Sequence, residues 1–342
     1  MRNTIKDLIE ISQYAGARAD YTQGGGGNTS VKNDKEGLML IKASGYRLKD
    51  INETTAFVAV DKKKIADYYN SVDLSVKKDY EKESAELSKS SIVELDGIQT
   101  LRPSVEVGFH AILKKYVIHT HSVYANILTC SLEGETIADK IFCGKDFDFI
   151  FLPYINPGFE LTLAMKKAIE EHVGKTGKYP EVIFMKNHGL VVNCDDIDRV
   201  KRINEDVNNS IVKYFDITDT FTSVNLGKNG DSFVSETPIV TEFIKENGLT
   251  KTFLDEYPLY PDQLVYLNNI IQFSPDKFVV KDNTVLYNTD EKQATTLEET
   301  LAAYLFVITT VKKAGLKISK MSEKEVYFIN HWEAEKYRRS VK

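Results

Sequence analysis

From Pro103 to about Phe215 the sequence alternates between two periodicities, and no other feature constrains the fold as much. Apolar residues recur every three or four positions in "PSVEVGFHAILKK", "SVYANILTC", "PGFELTLAMKKAIEEH" and "DIDRVKRINEDVNNSIVKYF". These stretches are predicted to be helices, the first with Ser104 as its N-cap. Between them "YVIHTH" reads as a strand and "EVIFMKNHGLVVN" as a strand pair. Interleaving of this kind predicts an α/β domain.

The flanks add less regular pieces. Residues 3–16 have helical spacing at Ile5, Leu8, Ile9 and Ile11, "TQGGGGNTSVKN" breaks that helix, and "GLMLIKASGYRL" reads as a strand ending in a turn. Residues 61–91 are dense in charge and serine and predict an exposed helical excursion. "LGKNGDSFVSETP" reads as a linker. Beyond it come a helix near 237–246, a hairpin at "KFVVKDNTVLYN" and helices near 296–314 and 322–339. The expected division is a catalytic domain over 1–225 and a smaller α+β extension over 235–342.

Composition excludes several function classes. A chain of 342 residues that is 42% apolar and 11% aromatic can bury a substantial core. The net charge of −6 comes without a sustained basic stripe, so no nucleic-acid partner is expected. The charged start "MRNTIKDLIEISQYAG" lacks a signal-peptide core, and no apolar stretch approaches the ~20 residues that cross a bilayer. The expectation is a cytoplasmic protein without a membrane partner. Cys130, Cys143 and Cys194 include no Cys-x-x-Cys pair and read as buried thiols. No Gly-x-Gly-x-x-Gly follows a strand, so no nicotinamide site is expected.

The chemistry concentrates in "YVIHTH". Alternate strand residues share a face, so His119 and His121 project together while Thr120 points away. His188, just before Gly189 in "IFMKNHGLVV", is a third candidate ligand. Three neutral imidazoles with one open position suit a catalytic zinc ion, whereas structural zinc sites fill all four positions with protein ligands. A histidine on an apolar strand is also a common hydrogen-bonded core residue, so the pair alone leaves both readings open. Glu106 in "RPSVEVGFH" is either a helix-terminal acid near the dipole or a carboxylate carried over the metal. The "GGGGNTS" and "ASG" stretches are flexible turns on their face, yet their backbone N–H groups, with Asn28, Ser44 and Ser104, can cradle a phosphate.

In order along the chain, "GGGGNTSVK", "IKASG", "RPSVEVGFH", "HTH" and "NHGLVV" resemble the class II aldolase/adducin family of zinc-dependent sugar-phosphate aldolases and epimerases, over roughly residues 5–215. "MLIKASGYRL", "FLPYINPGFEL", the segment around "YPLYPDQLVYL" and the ending "HWEAEKYRRSV" look most like the aldolase portion of the bifunctional rhamnulose-1-phosphate aldolase/alcohol dehydrogenase group. The dehydrogenase portion is absent from the sequence.

The resemblance implies a three-layer α/β/α fold around a central, mainly antiparallel sheet, with a small C-terminal α+β extension. It implies that His119, His121 and His188 hold Zn²⁺, or another divalent ion such as Mn²⁺ or Co²⁺, and that Glu106 is the general acid/base. Asn28, Thr29, Ser44, Gly45 and Ser104 are implied to bind the substrate phosphate. The implied reaction cleaves a ketose 1-phosphate to dihydroxyacetone phosphate and an aldehyde through a metal-stabilised enediolate, with Glu106 protonating the carbon. Burial is expected to raise the Glu106 carboxyl until metal and substrate are in place. Many phosphate-specific members have Ser-Ser-Glu where this chain has Ser104-Val105-Glu106, which removes one phosphate contact. The same metal set also serves epimerases and dehydratases, and adducin-like members keep the fold for protein binding. A cyclic homotetramer with sites between subunits is also implied.

Overall fold

The computed structural model of the protein describes residues 1–273 and 275–332. Eight strands form the central sheet: β1 (Asn28–Asn33), β2 (Leu38–Lys42), β3 (Phe57–Asp61), β4 (Ile92–Val93), β5 (Tyr116–Thr120), β6 (Asp148–Leu152), β7 (Pro180–Met185) and β8 (Gly189–Cys194). Their spatial order is β4-β3-β2-β1-β5-β8-β7-β6. Every neighbouring pair is antiparallel except β6 and β7.

Strand alternation explains the layers. Leu40, Ala59, Ile118, Phe184 and Val192 point to one face, into a core shared with the helices Arg2–Gly16, Val123–Thr129 and Ile197–Tyr214. Their neighbours Met39, Ile41, Val58, Val117 and Val191 point to the other, against Lys62–Ser71, Val107–Ile112 and Phe159–Thr176. A sheet apolar on both faces needs a helical layer on each, which gives the expected α/β/α arrangement.

The details depart from expectation at three places. The excursion over 61–91 is two helices, Lys62–Ser71 and Tyr80–Ser90, with Asp61 and Asp79 accepting from Lys64 N and Lys82 N as N-caps. The helix expected to have Ser104 as its N-cap starts at Val107 with Glu106 at the cap, because Pro103 bridges Ala43 and Ser104 N donates to Lys42 O, holding 103–104 extended beside β2. The stretch read as a linker is a hairpin, β9 (Leu226–Asn229) and β10 (Ser232–Ser235). Its two-residue turn, Gly230-Asp231, has Gly230 at φ +61°.

That hairpin joins β11 (Phe278–Lys281) and β12 (Thr284–Tyr287) in a four-stranded sheet of order β11-β12-β10-β9. The helix Glu291–Lys313 is buried along much of its length and meets the helix Val123–Thr129, with the Tyr124 and Phe306 rings 5.7 Å apart. Val240, Tyr287 and Leu301 belong to the same apolar cluster as the first face of the large sheet. The last described helix is Glu323–His331. The rest of the helix predicted to reach 339, and all of the ending motif beyond Trp332, lie outside the described residues. Cys130 and Cys194 are buried, whereas Cys143, which follows the helix Gly134–Phe142, is exposed. Among the described residues no helix is long and apolar enough to cross a membrane.

Candidate metal centre

Register places the first two histidines. In the β1–β5 ladder His119 lies opposite Asn28, and across β8 it lies opposite Val191. Directly opposed residues share a face, so His119 and Asn28 look toward the helix Val107–Ile112. His121 follows the last residue of β5. The β7–β8 connection, Lys186 to His188, delivers the third ring, and Asn187 within it has φ +51°. Asn187 Nδ2 donates to Leu259 O and Ser319 O, both at 2.8 Å, and its Oδ1 accepts from Ser319 Oγ at 3.0 Å. A Cβ on Gly189 would stand 2.4 Å from Thr120 O and 3.2–3.3 Å from the His121 and His119 rings, so glycine is required for this hairpin to close on the pair.

The three histidines offer donor atoms that all lie within 4.8 Å of one another. His119 Nε2 and His121 Nε2 are 3.1 Å apart. The far nitrogens are engaged: His119 Nδ1 is 3.0 Å from Leu190 O, and His121 Nδ1 is 2.5 Å from Asp262 Oδ2. Nδ1–H donation to each oxygen leaves both Nε2 lone pairs facing one volume. Two nitrogens sharing a tetrahedral ion at ~2 Å stand roughly 3.3 Å apart, close to the spacing seen. His188 adds a buried Nδ1 with no hydrogen-bond partner among the described residues. Three imidazoles so arranged, with the carboxylates of Glu106 and Asp262 alongside, fit a divalent cation.

Glu106 occupies the N-cap of the helix Val107–Ile112. Its Oε1 is 3.3 Å from His188 Nε2 and its Oε2 3.5 Å from His119 Nε2, and Oε2 accepts from Asn28 Nδ2 at 2.6 Å. Burial lowers His119 to about 4 and His188 to about 3, against the pull of Glu106, so both rings are neutral near pH 7 as metal ligation demands. For Glu106 burial acts upward, but the interactions with His119 and His188 and the Asn28 amide outweigh it and bring the carboxyl down to about 2. The direction is opposite to the sequence expectation, because that expectation counted burial without the imidazoles packed 3.3–3.5 Å away.

Of the residues expected at a phosphate, the structure gathers some and separates one. Asn28 Nδ2 also donates to Ser104 Oγ at 3.1 Å, and Asn28 Oδ1 takes a hydrogen bond from His110 Nε2. The Asn28 amide is therefore engaged in orienting Glu106. His110 Nδ1 in turn lies 2.8 Å from Ser30 Oγ, making a buried polar strip on one face of the sheet. Ser44 N donates to Arg102 O at 2.9 Å, which sets the Ser44-Gly45 turn beside the strand edge at Ser104. A Cβ on Gly25 would stand 3.6 Å from Tyr46 O, so this turn and the glycine loop adjoin. Thr29 goes elsewhere: its hydroxyl is 2.6 Å from Ser12 Oγ, toward the helix Arg2–Gly16 on the opposite face. Gly24 N donates to Glu299 Oε2 at 2.8 Å, and Glu299 is paired with Arg47. A cleft of about 1210 Å³ reaches Ser104 and Val105, with Arg102, Tyr69 and Tyr154 among its walls.

Sequence reasoning missed Asp262, Asn187 and Lys42. Lys42 is buried and donates from Nζ to Gly25 O at 2.7 Å, tying the glycine loop to β2. An acid before the apolar run "QLVYL" and a lysine inside the strand "LMLIK" are signals that could have found Asp262 and Lys42, since charges on buried elements need partners, whereas no such signal points to Asn187.

No curated protein matches the chain. Among solved structures, it is similar to the N-terminal class II aldolase domain of a conserved protein from Thermoplasma acidophilum, with 25% identity, 61% of this chain and 92% of that chain covered, and a TM-score of 0.49. An L-fuculose 1-phosphate aldolase is 22% identical over 65% of this chain and 91% of its own, with a TM-score of 0.42. A sugar-phosphate aldolase from Thermotoga maritima is 16% identical over 64% and 98%, with a TM-score of 0.43. The model of the class II aldolase and adducin N-terminal domain matches residues 6–211, the stretch that contains the whole large sheet, Glu106 and the three histidines. The chain belongs to the class II aldolase/adducin family.

Proposed function

We propose that this chain is a zinc-dependent aldolase that cleaves a ketose 1-phosphate to dihydroxyacetone phosphate and an aldehyde. The observation that carries the reading is the convergence of three buried imidazoles within 4.8 Å, with the Glu106 carboxylate 3.3 and 3.5 Å from two of them. His119, His121 and His188 would hold the ion, which when bound supplies a Lewis acid for the substrate's carbonyl and hydroxyl oxygens. Glu106, ionised and aimed by the Asn28 amide, takes up the proton that the C4 hydroxyl gives up as the C3–C4 bond breaks and delivers a proton to C3. Burial of the whole cluster keeps water from competing for that proton.

The phosphate is assigned to the turn and strand edge around Ser44, Gly45 and Ser104, with Asn28 at their margin. Their adjacency to Glu106 through Asn28 supports this. Val105 in place of a serine leaves that grip with one contact fewer. The resemblance of "YPLYPDQLVYL" makes rhamnulose 1-phosphate the first substrate to try. A cyclic tetramer completes the proposal, on family resemblance alone.

The test is a panel of ketose 1-phosphates incubated with zinc-loaded protein, read through a coupled assay for dihydroxyacetone phosphate. Release from at least one ketose, lost on chelation and restored by zinc, is the expected result. Conversion to an epimer or a dehydrated product without triose phosphate would replace the aldolase reading with another on the same ligands.

A further inference from the structure

We propose that Asp262 is a positioning residue of the metal centre, and that through it the C-terminal part of the chain sets how tightly the metal is held. The inference rests on the metal reading above and on none of its substrate chemistry.

Asp262 lies far along the sequence from the histidines and outside the residues that the family model matches. It is nonetheless 1% exposed, with Oδ2 2.5 Å from His121 Nδ1. Burying a carboxylate costs several kcal/mol unless hydrogen bonds and opposite charge offset it. With a cation bound at His121 Nε2, the carboxylate on Nδ1 makes the imidazole a stronger ligand and fixes its tautomer. The chain also closes over the pair. A Cβ on Gly26 would stand 2.1 Å from Asp262 Oδ2 and 2.8 Å from His121 Nδ1, so the glycine loop covers the contact with backbone alone.

The segment bearing Asp262 is itself fixed. Leu259 N donates to Gln263 Oε1 at 2.7 Å, and the fully buried Gln263 donates from Nε2 to Leu254 O and Tyr257 O. The carbonyl of the same Leu259 receives the Asn187 amide, which shapes the turn carrying His188. Two of the three rings thus lean on one short stretch, 259–263, of the C-terminal part. His119 leans instead on Leu190 O of its own sheet.

The test is zinc affinity, measured by competition with a chromophoric chelator on the full chain, for wild type, Asp262→Asn and Tyr287→Phe. Asparagine keeps the shape and removes the charge. Tyr287→Phe removes a hydroxyl of the C-terminal sheet that bonds Glu298 of the helix Glu291–Lys313, and so controls for general loosening. Asp262→Asn should bind zinc about 10–100-fold more weakly, the usual effect of losing such a partner, while Tyr287→Phe should match wild type. An Asp262→Asn affinity within about twofold of wild type, or an equal loss in Tyr287→Phe, would overturn the proposal. Long-range ¹H–¹⁵N spectra of zinc-free wild type give a readout that needs no variant: His121 should carry its proton on Nδ1, and a bare Nδ1 would overturn it. Wild type that binds zinc yet cleaves no ketose phosphate would refute the aldolase reading and leave this inference standing. Wild type that binds no zinc would refute both.

Discussion

Glu106 owes its position to a relay of buried polar side chains: Ser30 meets His110, His110 meets Asn28, and Asn28 meets Glu106. Such a relay fixes one carboxylate orientation, as proton transfer to a single carbon requires. Glu106→Gln preserves shape and helix start, so metal content should remain near that of wild type while turnover falls about 10²–10⁴-fold. Exchange of the dihydroxyacetone phosphate C3 proton with solvent isolates this step, and retained exchange in the Gln variant would remove Glu106 from the role. Acid should also undo the cluster. The folded values of about 4 for His119, about 3 for His188 and about 2 for Glu106 all lie below the ordinary 6.5 and 4.5. The unfolded chain therefore takes up these protons first as pH falls. The stability linked to the histidines is complete above about pH 6.5, and that of Glu106 above about pH 4.5. Both are lost on acidification, by at most about 1.4 kcal/mol per pH unit for each such proton. Urea melts of chelator-treated protein at pH 7.5, 5.5 and 4.5 check this, and equal stability at all three would contradict it.

At the scale of elements, the β7–β8 hairpin decides where His188 points, and Asn187 decides the hairpin. Alanine there would keep a strained left-handed φ and strip the amide from Leu259 O, Ser319 O and Ser319 Oγ. Asn187→Ala should cost about 2–4 kcal/mol, and Asn187→Gly about 1 kcal/mol less because glycine relieves the backbone strain. Denaturant melts of the two variants give the comparison, and equal stabilities would deny the left-handed turn a role. The elements around the site differ in how far the sequence disclosed them. His119 and His121 were legible because strand alternation is a local rule, and Gly189 because a turn after a strand is too. The hairpin at Gly230 was not, since Gly, Ser and Asn mark a turn and a linker alike. Glu106 was found, but its placement at the cap depends on Pro103 pairing with Ala43, a contact between segments sixty residues apart. Asp262 is further still from the histidines, and the direction of the Glu106 carboxyl depends on rings brought in from two separate segments.

For the whole molecule, the large sheet and the C-terminal part share one apolar cluster rather than two. Ile118 and Val192 of the sheet belong to the same cluster as Tyr287 of the small sheet and Leu301, Leu305 and Phe306 of the long helix. The histidine cluster lies at this junction, with its rings at the ends of the sheet strands and the Asp262 carboxylate from beyond them. A shared core couples the parts energetically, because neither can open without exposing the other's apolar face. Calorimetry of the zinc-free full chain should therefore show one transition. Leu301→Ala removes a fully buried side chain from the C-terminal helix and should lower the whole transition by about 2–5 kcal/mol of stability. Zinc should raise that same transition by mass action, in proportion to the logarithm of its free concentration. Two resolved peaks, only one of them moved by Leu301→Ala, would mean that the two parts unfold separately and that the metal centre is built on the sheet alone.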